Sequence, residues 1–433
     1  MKKSSQFLWA FFMIAGISVI ETKASDSLKV SIKNTIIADA DNAGLKLPVG
    51  FSALIVADNT GRPRHIAVTK QGTVYIKLGR LVKGNGILRL KDIDGDGKAD
   101  DSLHFGNYIG TGISIKNDYL YASSDEDVFR YQLDAKGDVI NPEQPEKIVT
   151  GLLNRRQHGT KSLTLDNAGN IYVNIGAYTN SCQEKVGSPG SMGKMPCNIL
   201  DSAGGIWQFK ADKLNQTYGD GFRYATGLRN VVGLDWNNEL NQLFVLQHGR
   251  DELHNLFPSI YTEQQNADLP AETMYAINKG DNAGFPYIYY DPFTNKKMVS
   301  PEYGGDGKKE GGENAINPTM AFPAHMAPNG LLFYTGNQFP AKYKHGAFIA
   351  FHGSWNRTPL PQEGYYVAFV PYVNGKPSGK WEVFANGFAG VDVITSTRSA
   401  LHRPCGLAEG KDGSLYVTDD QKGTIYRIIY NGK

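Results

Sequence analysis

The stretch HGTKSLTLDNAGNIYVNI, residues 158–175, contains two short strand patterns joined by a turn. Its second half places Tyr172 between Ile171 and Val173. Aromatic and β-branched residues favour strands, whereas the Asp-Asn-Ala-Gly sequence between the two halves favours a tight turn. The stretch therefore predicts a pair of antiparallel strands, with His158 where the first strand begins.

The same pattern recurs along the chain, with an aromatic residue near the centre of each copy. A further strand candidate precedes each copy and another follows it. Antiparallel triplets separated by glycine-rich turns are typical of β-propeller blades. We therefore predict an all-β, six-bladed propeller over residues 47–433; the alternative is a pair of β-sandwiches. The copies are GTVYIKL (72–78), DYLYASS (118–124), GNIYVNI (169–175), NQLFVLQ (241–247), GAFIAFH (346–352) and GSLYVTD (413–419).

The last repeat, residues 403–431, holds only three strand candidates before the chain ends. The segment GFSALIVAD (50–58) could supply its outer strand and close the ring. Closure in this way removes open sheet edges. The spacing of the copies is uneven because of insertions such as 250–271 and 301–318.

The N-terminus has the features of an export signal. Lys2 and Lys3 precede a short apolar run, Phe7–Ile20, and Thr22-Lys23-Ala24 offers small residues for cleavage. We expect a signal peptide at 1–24, a lead-in segment at 25–46 and a periplasmic protein; the alternative is an uncleaved anchor. A formal net charge of +2 gives no reason to expect nucleic-acid binding.

Three cysteines are present. Cys182 and Cys197 flank a Gly/Pro/Ser-rich loop that has little core of its own, and export makes a disulfide between them possible. The alternative is two free thiols. Cys405 is left over, and we expect it to be buried.

Polar residues gather at corresponding positions of the repeats. In a propeller, the start of the first strand and the end of the second strand of each blade lie on one rim. The strand-one starts supply His158, Arg229, Asn230 and Arg403, and the strand-two ends supply the stretches 247–250 and 352–357. A histidine can accept a proton, and arginines can hold carboxylates or oxyanions. A hydrated channel mouth without chemistry is the alternative.

Known catalytic motifs are missing from the sequence. It has no G-x-S-x-G elbow, no glycine-rich phosphate loop opening a helix and no compact metal-histidine cluster. A hydride or electron reaction would therefore need a cofactor, because no side chain accepts hydride.

The segment KDIDGDGKADD (91–101) resembles the first half of an EF-hand loop. Its carboxylates alternate, a turn glycine follows at Gly97, and the flanking residues are strand-like. We predict a structural Ca²⁺ site in a β-hairpin; an acidic solvated turn is the alternative. The expected ligands are Asp92, Asp94, Asp96, the Lys98 backbone carbonyl and Asp100.

The stretches ATGLRNVVGLDW, LQHGRDELHNL, INKGDNAGFPY and RPCGLAEGKDGSLYVTDD resemble the soluble quinoprotein sugar dehydrogenases, in their sorbosone or aldose dehydrogenase-like branch. The resemblance runs from about Leu47 to the C-terminus. It implies a propeller that holds pyrroloquinoline quinone (PQQ) and Ca²⁺ over the channel. An aldose sugar or related aldehyde would be oxidised to a lactone or acid, and the electrons would pass to an unidentified acceptor.

The resemblance also implies roles for individual residues. His158 matches the general base that takes the hydroxyl proton while hydride passes to the quinone, and Gln157 precedes it at the cofactor site. Arg229 and Asn230 match residues beside the quinone, with Arg229 stabilising developing charge. Gly249 and Arg250 match the backbone carbonyls that ligate the cofactor-bound Ca²⁺. Arg403 and Arg357 would hold cofactor carboxylates.

At this site the sequence differs from the glucose-oxidising members of the family at two positions. The glucose-oxidising members have Asp where this chain has Gln157 and Pro where it has Arg250. Two other functions are alternatives: a propeller lactone hydrolase with a catalytic Ca²⁺, and a non-catalytic binding propeller. The mature protein is expected to act on a small sugar as a monomer or dimer, without a membrane span.

Overall fold

The computed structural model describes residue 1, residues 36–155 and residues 157–432. Residues 2–24 of the predicted signal peptide and residues 25–35 of the lead-in segment lie outside these residues. Within the described residues, no helix is both long and apolar enough to cross a membrane.

Almost all of the regular structure is β-strand. The short helices are α1 (Leu253–Leu256) and α2 (Glu263–Asp268), with 3-10 turns at Asn42–Gly44, Asn198–Asp201, Tyr218–Asp220, Pro301–Tyr303, Ala341–Tyr343 and Thr397–Ser399. In chain order the strands are β1 (Phe51–Ala57), β2 (Pro63–Val68), β3 (Val74–Val82), β4 (Asn85–Lys91), β5 (Asp101–Phe105), β6 (Ile113–Lys116), β7 (Tyr119–Ser123), β8 (Val128–Gln132), β9 (Glu146–Thr150), β10 (Leu163–Leu165), β11 (Asn170–Ile175), β12 (Gly205–Lys210), β13 (Gln216–Thr217), β14 (Phe222–Thr226), β15 (Val231–Asn237), β16 (Gln242–Gln247), β17 (Glu272–Ile277), β18 (Ile288–Asp291), β19 (Lys296–Val299), β20 (Met320–Phe322), β21 (Pro328–Phe333), β22 (Ala347–Phe351), β23 (Tyr366–Val370), β24 (Tyr372–Val373), β25 (Lys376–Pro377), β26 (Glu382–Ala385), β27 (Pro404–Glu409), β28 (Leu415–Asp419) and β29 (Ile425–Tyr430).

These strands form six blades, which confirms the predicted propeller. The blades in order are β2-β3-β4-β5, β6-β7-β8-β9 with β13 added at its edge, β10-β11-β12-β14, β15-β16-β17-β20, β21-β22-β23-β26 and β27-β28-β29-β1. Hairpins β18-β19 and β24-β25 stand outside the blades. The first strand of every blade contributes to the wall of a central cavity of about 210 Å³, with lining residues such as Ile66, Ile115, Leu234 and Leu407.

The ring closes through the N-terminal strand, as predicted. β1 pairs antiparallel with β29, and Phe51 lies opposite Tyr430. The Phe51 ring also packs edge-on against Phe339 and Phe384 at centroid distances of 4.8 and 5.0 Å. Because the pairing joins the two ends of the described propeller, the closing blade depends on strands far apart in sequence.

The aromatic residue at the centre of each second strand is buried. Tyr75 and Tyr172, for example, are 0% and 2% exposed. Burying a large apolar side chain is worth roughly 1.5–3 kcal/mol. Neighbouring blades share these cores: one cluster combines Tyr121 and Val128 of the second blade with Ile171 and Val173 of the third. The repeat pattern thus supplies the contacts that hold successive blades together.

Cys182 and Cys197 form a disulfide, as predicted, with 15 residues of sequence separation. Both cysteines are buried in the core cluster of the second and third blades. Cys405 is a buried free thiol, also as expected. The bridge therefore fastens the insertion of the third blade onto its core.

Removing this bridge is expected to lower the free energy of unfolding by about 3 kcal/mol, because the cross-link restrains a loop of this length in the unfolded chain. The test is denaturant unfolding of the Cys182→Ser/Cys197→Ser double variant. Dithiothreitol should destabilise the wild type and leave the double variant unchanged. Equal stability of the two proteins without reductant would contradict the prediction.

Candidate active site

The rim residues named from the sequence are brought together by the ladder between the first two strands of each blade. Val231 lies opposite Gln247, and Pro404 opposite Asp419. The residues that precede the first strand and follow the second strand are therefore neighbours at one end of the blade. His158, Arg229, Asn230 and Arg403 all occupy such positions.

His158 lies just before the third blade and is fixed by its Nδ1, which is 2.5 Å from the carbonyl oxygen of Ala177. A carbonyl only accepts, so Nδ1 carries the hydrogen, and in the neutral ring Nε2 keeps its lone pair. The backbone of His158 has φ of 53°, a left-handed conformation uncommon for a residue other than glycine. Such strain persists where the surroundings fix one conformation, as at catalytic sites.

Burial and, next, the positive charge of Arg229 lower the pKa of His158 to about 3. The imidazole is therefore neutral at pH 7 and can accept a proton at Nε2. A bound anion would raise this pKa, because it would offset the charge of Arg229.

Arg229 is 4% exposed and has a partner for each guanidinium nitrogen. Its Nη1 donates to the carbonyl of Gly249 at 2.8 Å, and its Nη2 donates to Asp251 at 2.8 Å. Its Nε donates to the carbonyl of Asn180 at 3.2 Å. The Arg229 carbonyl accepts from the amide of Ala177, the residue that also holds His158. The backbone of one residue, Ala177, thus couples the positions of the histidine and the arginine.

Asn230 lies close to His158. A Cβ on Gly176 would come within 2.6 Å of the His158 Cβ and 3.0 Å of the Asn230 Oδ1, so only glycine fits between them. The Asn230 Oδ1 is buried and has no hydrogen-bond partner among the described residues. An orphaned buried acceptor is costly, which is a reason to expect a ligand or water beside it.

Arg403 belongs to a second charged cluster at the rim. Its Nε and Nη2 donate to the carbonyls of His352 and Gly353 at 3.0 and 2.7 Å. His352 lies 2.6 Å from Asp420, which also accepts from Arg64 at 2.6 Å. This cluster lies next to the group formed by His158 and Arg229. His248 links the two, because its pKa is lowered by burial and then by the charges of both Arg229 and His352.

Arg357 is held by neighbouring parts of the chain, and its role at the cofactor stays a prediction. Its guanidinium is buried and donates to the carbonyls of Ala267 and Ala324 at 3.2 and 3.3 Å. Glu363 lies 3.4 Å from its Nη2. Because backbone carbonyls of the preceding blade engage this side chain, these contacts also hold the rim loop that carries Arg357.

Arg250 also turns its side chain away from the rim. The guanidinium pairs with both carboxylate oxygens of Glu302 in the 301–318 insertion, at 2.5 and 2.6 Å, and both residues are buried. Only its backbone stays beside Gly249, as the predicted role requires. Gln157 directly precedes His158 and is partly buried.

Several charged residues of the rim were missed by sequence reasoning. Arg64 is the second residue of the first blade's first strand, where the last blade has Cys405, so the repeat marks Arg62 as the counterpart of Arg403 but does not mark Arg64. Asp251 and Asp420 follow second strands, so the repeat could have identified them as rim residues. Lys161 is fully buried, and burial lowers its pKa to about 8 while Asp125 opposes this shift. No local signal marks that lysine.

The predicted calcium loop joins β4 to β5 in the first blade, as expected for a β-hairpin insertion. Oxygens of Asp92, Asp94 and Asp100 lie within 4.8 Å of one another. Asp96 is outside this group, and its carboxylate accepts from the Lys98 amide at 2.7 Å. The loop therefore gathers three of the four predicted carboxylates.

A larger cavity, of about 550 Å³, lies beside the outer strand of the fifth blade. It is lined by Lys46, Gln362 and Trp381 among others, and it includes none of the predicted site residues.

Comparison with known proteins confirms the resemblance of this propeller to the soluble quinoprotein sugar dehydrogenases. A model of the TrAA12-like family matches residues 45–431, so the chain belongs to this family. The chain is 26% identical over 424 residues to a pyrroloquinoline quinone-dependent pyranose dehydrogenase of Coprinopsis cinerea. That match covers 88% of this chain and 54% of the relative, so the chain spans about half the relative's length.

Solved structures share the fold. The holo form of the Coprinopsis cinerea pyranose dehydrogenase PQQ domain superposes with a TM-score of 0.71 at 20% identity, covering 89% of this chain and 97% of that domain. The calcium structure of a Trichoderma reesei enzyme of carbohydrate-active family AA12 gives 0.72 at 19% identity, covering 92% and 99%. These likenesses establish the architecture of the propeller.

The lowered pKa values of the buried histidines predict that the free energy of unfolding falls as the pH is lowered. Burial lowers the pKa of His65 and of His248 to about 4, and that of His158 to about 3. Because each pKa lies below the unfolded value of about 6.5, the unfolded chain binds more protons, and stability falls as pH drops from 6.5 toward 4. Each histidine is expected to lower the free energy of unfolding by about 2 kcal/mol between pH 7 and pH 5.

Denaturant unfolding at pH 7, 6 and 5 tests this expectation. A His248→Gln variant should lose less stability over that range than the wild type. The exposed His345 supplies the control, since His345→Gln should follow the wild-type curve. Parallel curves for His248→Gln and the wild type would refute the assignment.

Proposed function

We propose that the protein is a PQQ-dependent dehydrogenase that oxidises an aldose sugar, or a related aldehyde or hemiacetal, to a lactone or acid. Membership of the TrAA12-like family and the similarity to a PQQ-dependent pyranose dehydrogenase support an oxidoreductase acting on sugars. The observation that carries the proposal is a neutral histidine with a free Nε2, set in a cationic rim beside an orphaned acceptor.

The residues present fit such a cofactor. Arg64, Arg229 and Arg403 supply fixed cationic donors at one rim, which suit a ligand with several carboxylates. The buried Oδ1 of Asn230 needs a partner that no described residue provides. We propose that Arg403 and Arg64 hold carboxylates of the cofactor and that Asn230 and Gln157 line its site.

His158 is the proposed proton acceptor. Its hydrogen bond to Ala177 aims Nε2 away from the backbone, so a substrate hydroxyl could deliver its proton there. The bound cofactor would supply the hydride acceptor that the side chains lack. Arg229, held next to His158, would stabilise negative charge as it develops.

We also propose a Ca²⁺ at the cofactor, ligated by the carbonyls of Gly249 and Arg250. The Gly249 carbonyl already accepts from Arg229, and its second lone pair remains available. The departure to Arg250 does not affect a backbone ligand, because the side chain points to Glu302. The disulfide is consistent with an exported protein, and we propose a periplasmic location.

The activity test uses the purified protein without cofactor. Addition of PQQ and Ca²⁺ should permit dye reduction over a panel of aldoses, and His158→Gln should lower kcat about 10²–10⁴-fold because the base is lost. His345→Gln is the matched control on the exposed surface.

Each other outcome points to a specific alternative. Failure to bind PQQ at micromolar concentration would favour the non-catalytic binding propeller. Lactone hydrolysis that needs Ca²⁺ but no PQQ would favour the lactone hydrolase.

The 91–101 loop is proposed as a structural Ca²⁺ site. Asp92 and Asp100 also hold backbone amides of the loop: Gly95 and Gly97 donate to Asp92, and Ile93 donates to Asp100. A cation would offset the repulsion among these carboxylates. The role would be to stabilise the first blade.

Calcium is expected to raise the melting temperature of the wild type, and a chelator to reverse the change. The double variant Asp92→Asn/Asp100→Asn should show no response to calcium, whereas the exposed Glu143→Gln control should respond like the wild type. A calcium response retained in the double variant would assign the stabilisation to another site. Differential scanning calorimetry with and without Ca²⁺ makes the comparison.

A further inference from the structure

Asp251 occupies the junction of three blades. It follows the second strand of the fourth blade, and its amide donates to the Oδ1 of Asn180, from the third blade, at 2.9 Å. Its carboxylate contacts side chains on either side of it. Oδ2 accepts from Arg229 at 2.8 Å, and Oδ1 accepts from Asn356 of the fifth blade at 3.1 Å.

The remaining partner of this carboxylate is a histidine that must be charged. The Nδ1 of His325 lies 3.2 Å from the Asp251 Oδ1, and its Nε2 lies 2.8 Å from the carbonyl of Asn266. Both partners are oxygen acceptors, so both ring nitrogens must carry hydrogen, which makes the ring an imidazolium. Burial lowers the pKa of His325, but the hydrogen bond and charge of Asp251 outweigh this effect and raise it overall.

The result is a carboxylate held between two buried cations, Arg229 and His325. His325 is 8% exposed and has φ of 63°, so its backbone is also held in an uncommon conformation. A residue with strained backbone and two directed hydrogen bonds has little freedom to move. His325 and Asn356 therefore hold Asp251 through Oδ1, while Oδ2 remains with Arg229.

We infer that Asp251, fixed by His325 and Asn356, is the positioning residue that orients the Arg229 guanidinium toward the cofactor site. Arg229 has four rotatable side-chain bonds, and its position decides where its charge stands relative to the reacting atoms. The Asp251 carboxylate and the carbonyls of Asn180 and Gly249 leave it one arrangement. This inference rests on the proposed function.

Positioning and simple electrostatics predict opposite effects of Asp251→Asn. The substitution removes a negative charge from the rim, which by itself favours an anionic cofactor. If Asp251 only contributed charge, cofactor binding would tighten and kcat would hold. If Asp251 orients Arg229, the cofactor stays bound, yet kcat falls because transition-state charge is no longer met by a fixed donor.

The experiment measures binding and turnover separately. Cofactor binding is followed by the thermal shift on titration with PQQ and Ca²⁺ in the absence of sugar. For Asp251→Asn we expect a bound cofactor, a kcat about 10–100-fold below the wild type, and a sugar KM within about two-fold. Glu239→Gln is the matched control, since it removes a carboxylate that pairs with the exposed His345 at 2.7 Å.

Two further variants decide the case if Asp251→Asn does not fold. His325→Gln and Asn356→Ala each remove one support of the carboxylate without touching Arg229. Both should lower kcat at unchanged sugar KM, with the larger effect for His325→Gln. A wild-type kcat in Asp251→Asn would overturn the inference. If Asp251→Asn does not fold, a wild-type kcat in both His325→Gln and Asn356→Ala would overturn it. Failure of the wild type itself to bind PQQ would instead reject the proposed function.

Discussion

The backbone ladder between the first two strands of each blade is the constraint on which the site depends. It fixes the start of one strand against the end of the next, as Val231 opposite Gln247 shows. The ring then places six such ends around one opening, although their residues are far apart in sequence. Hydrogen bonds of the backbone carry this arrangement, so the terminal side chains are free to serve chemistry.

The positive charge of the rim arginines is only partly neutralised by carboxylates of the described residues. Asp251 and Asp420 are shared among Arg229, Arg64 and the neighbouring histidines. Burial keeps His158 and His248 neutral at pH 7, so the arginines retain most of the local charge. An anionic ligand, such as the proposed cofactor, would find these positive charges already in place, which would lower the cost of reorganisation on binding.

The parts of the fold that depend on local pattern could be predicted from sequence. Each blade repeats an aromatic-centred strand, and the closing strand stands out because the last repeat lacks one. The disulfide could be predicted because Cys182 and Cys197 flank one loop. The position of the predicted calcium loop between two strands also followed from its strand-like flanks.

Side-chain directions at the rim could not be predicted in the same way. Arg357 is directed by the carbonyls of Ala267 and Ala324, which an insertion and a blade connection bring to it. Arg250 is directed by Glu302, a partner that lies in another insertion. The link from Asp251 to His325 joins residues on separate connections, so it exists only once the ring has formed.

The most direct measurement of the central claim is a crystal structure of the protein soaked with PQQ and Ca²⁺. The account predicts that the cofactor lies on the rim between His158, Arg229 and Arg403, with the Asn230 side chain beside it. Cofactor density in the cavity beside Trp381, or an empty rim at saturating cofactor, would contradict it.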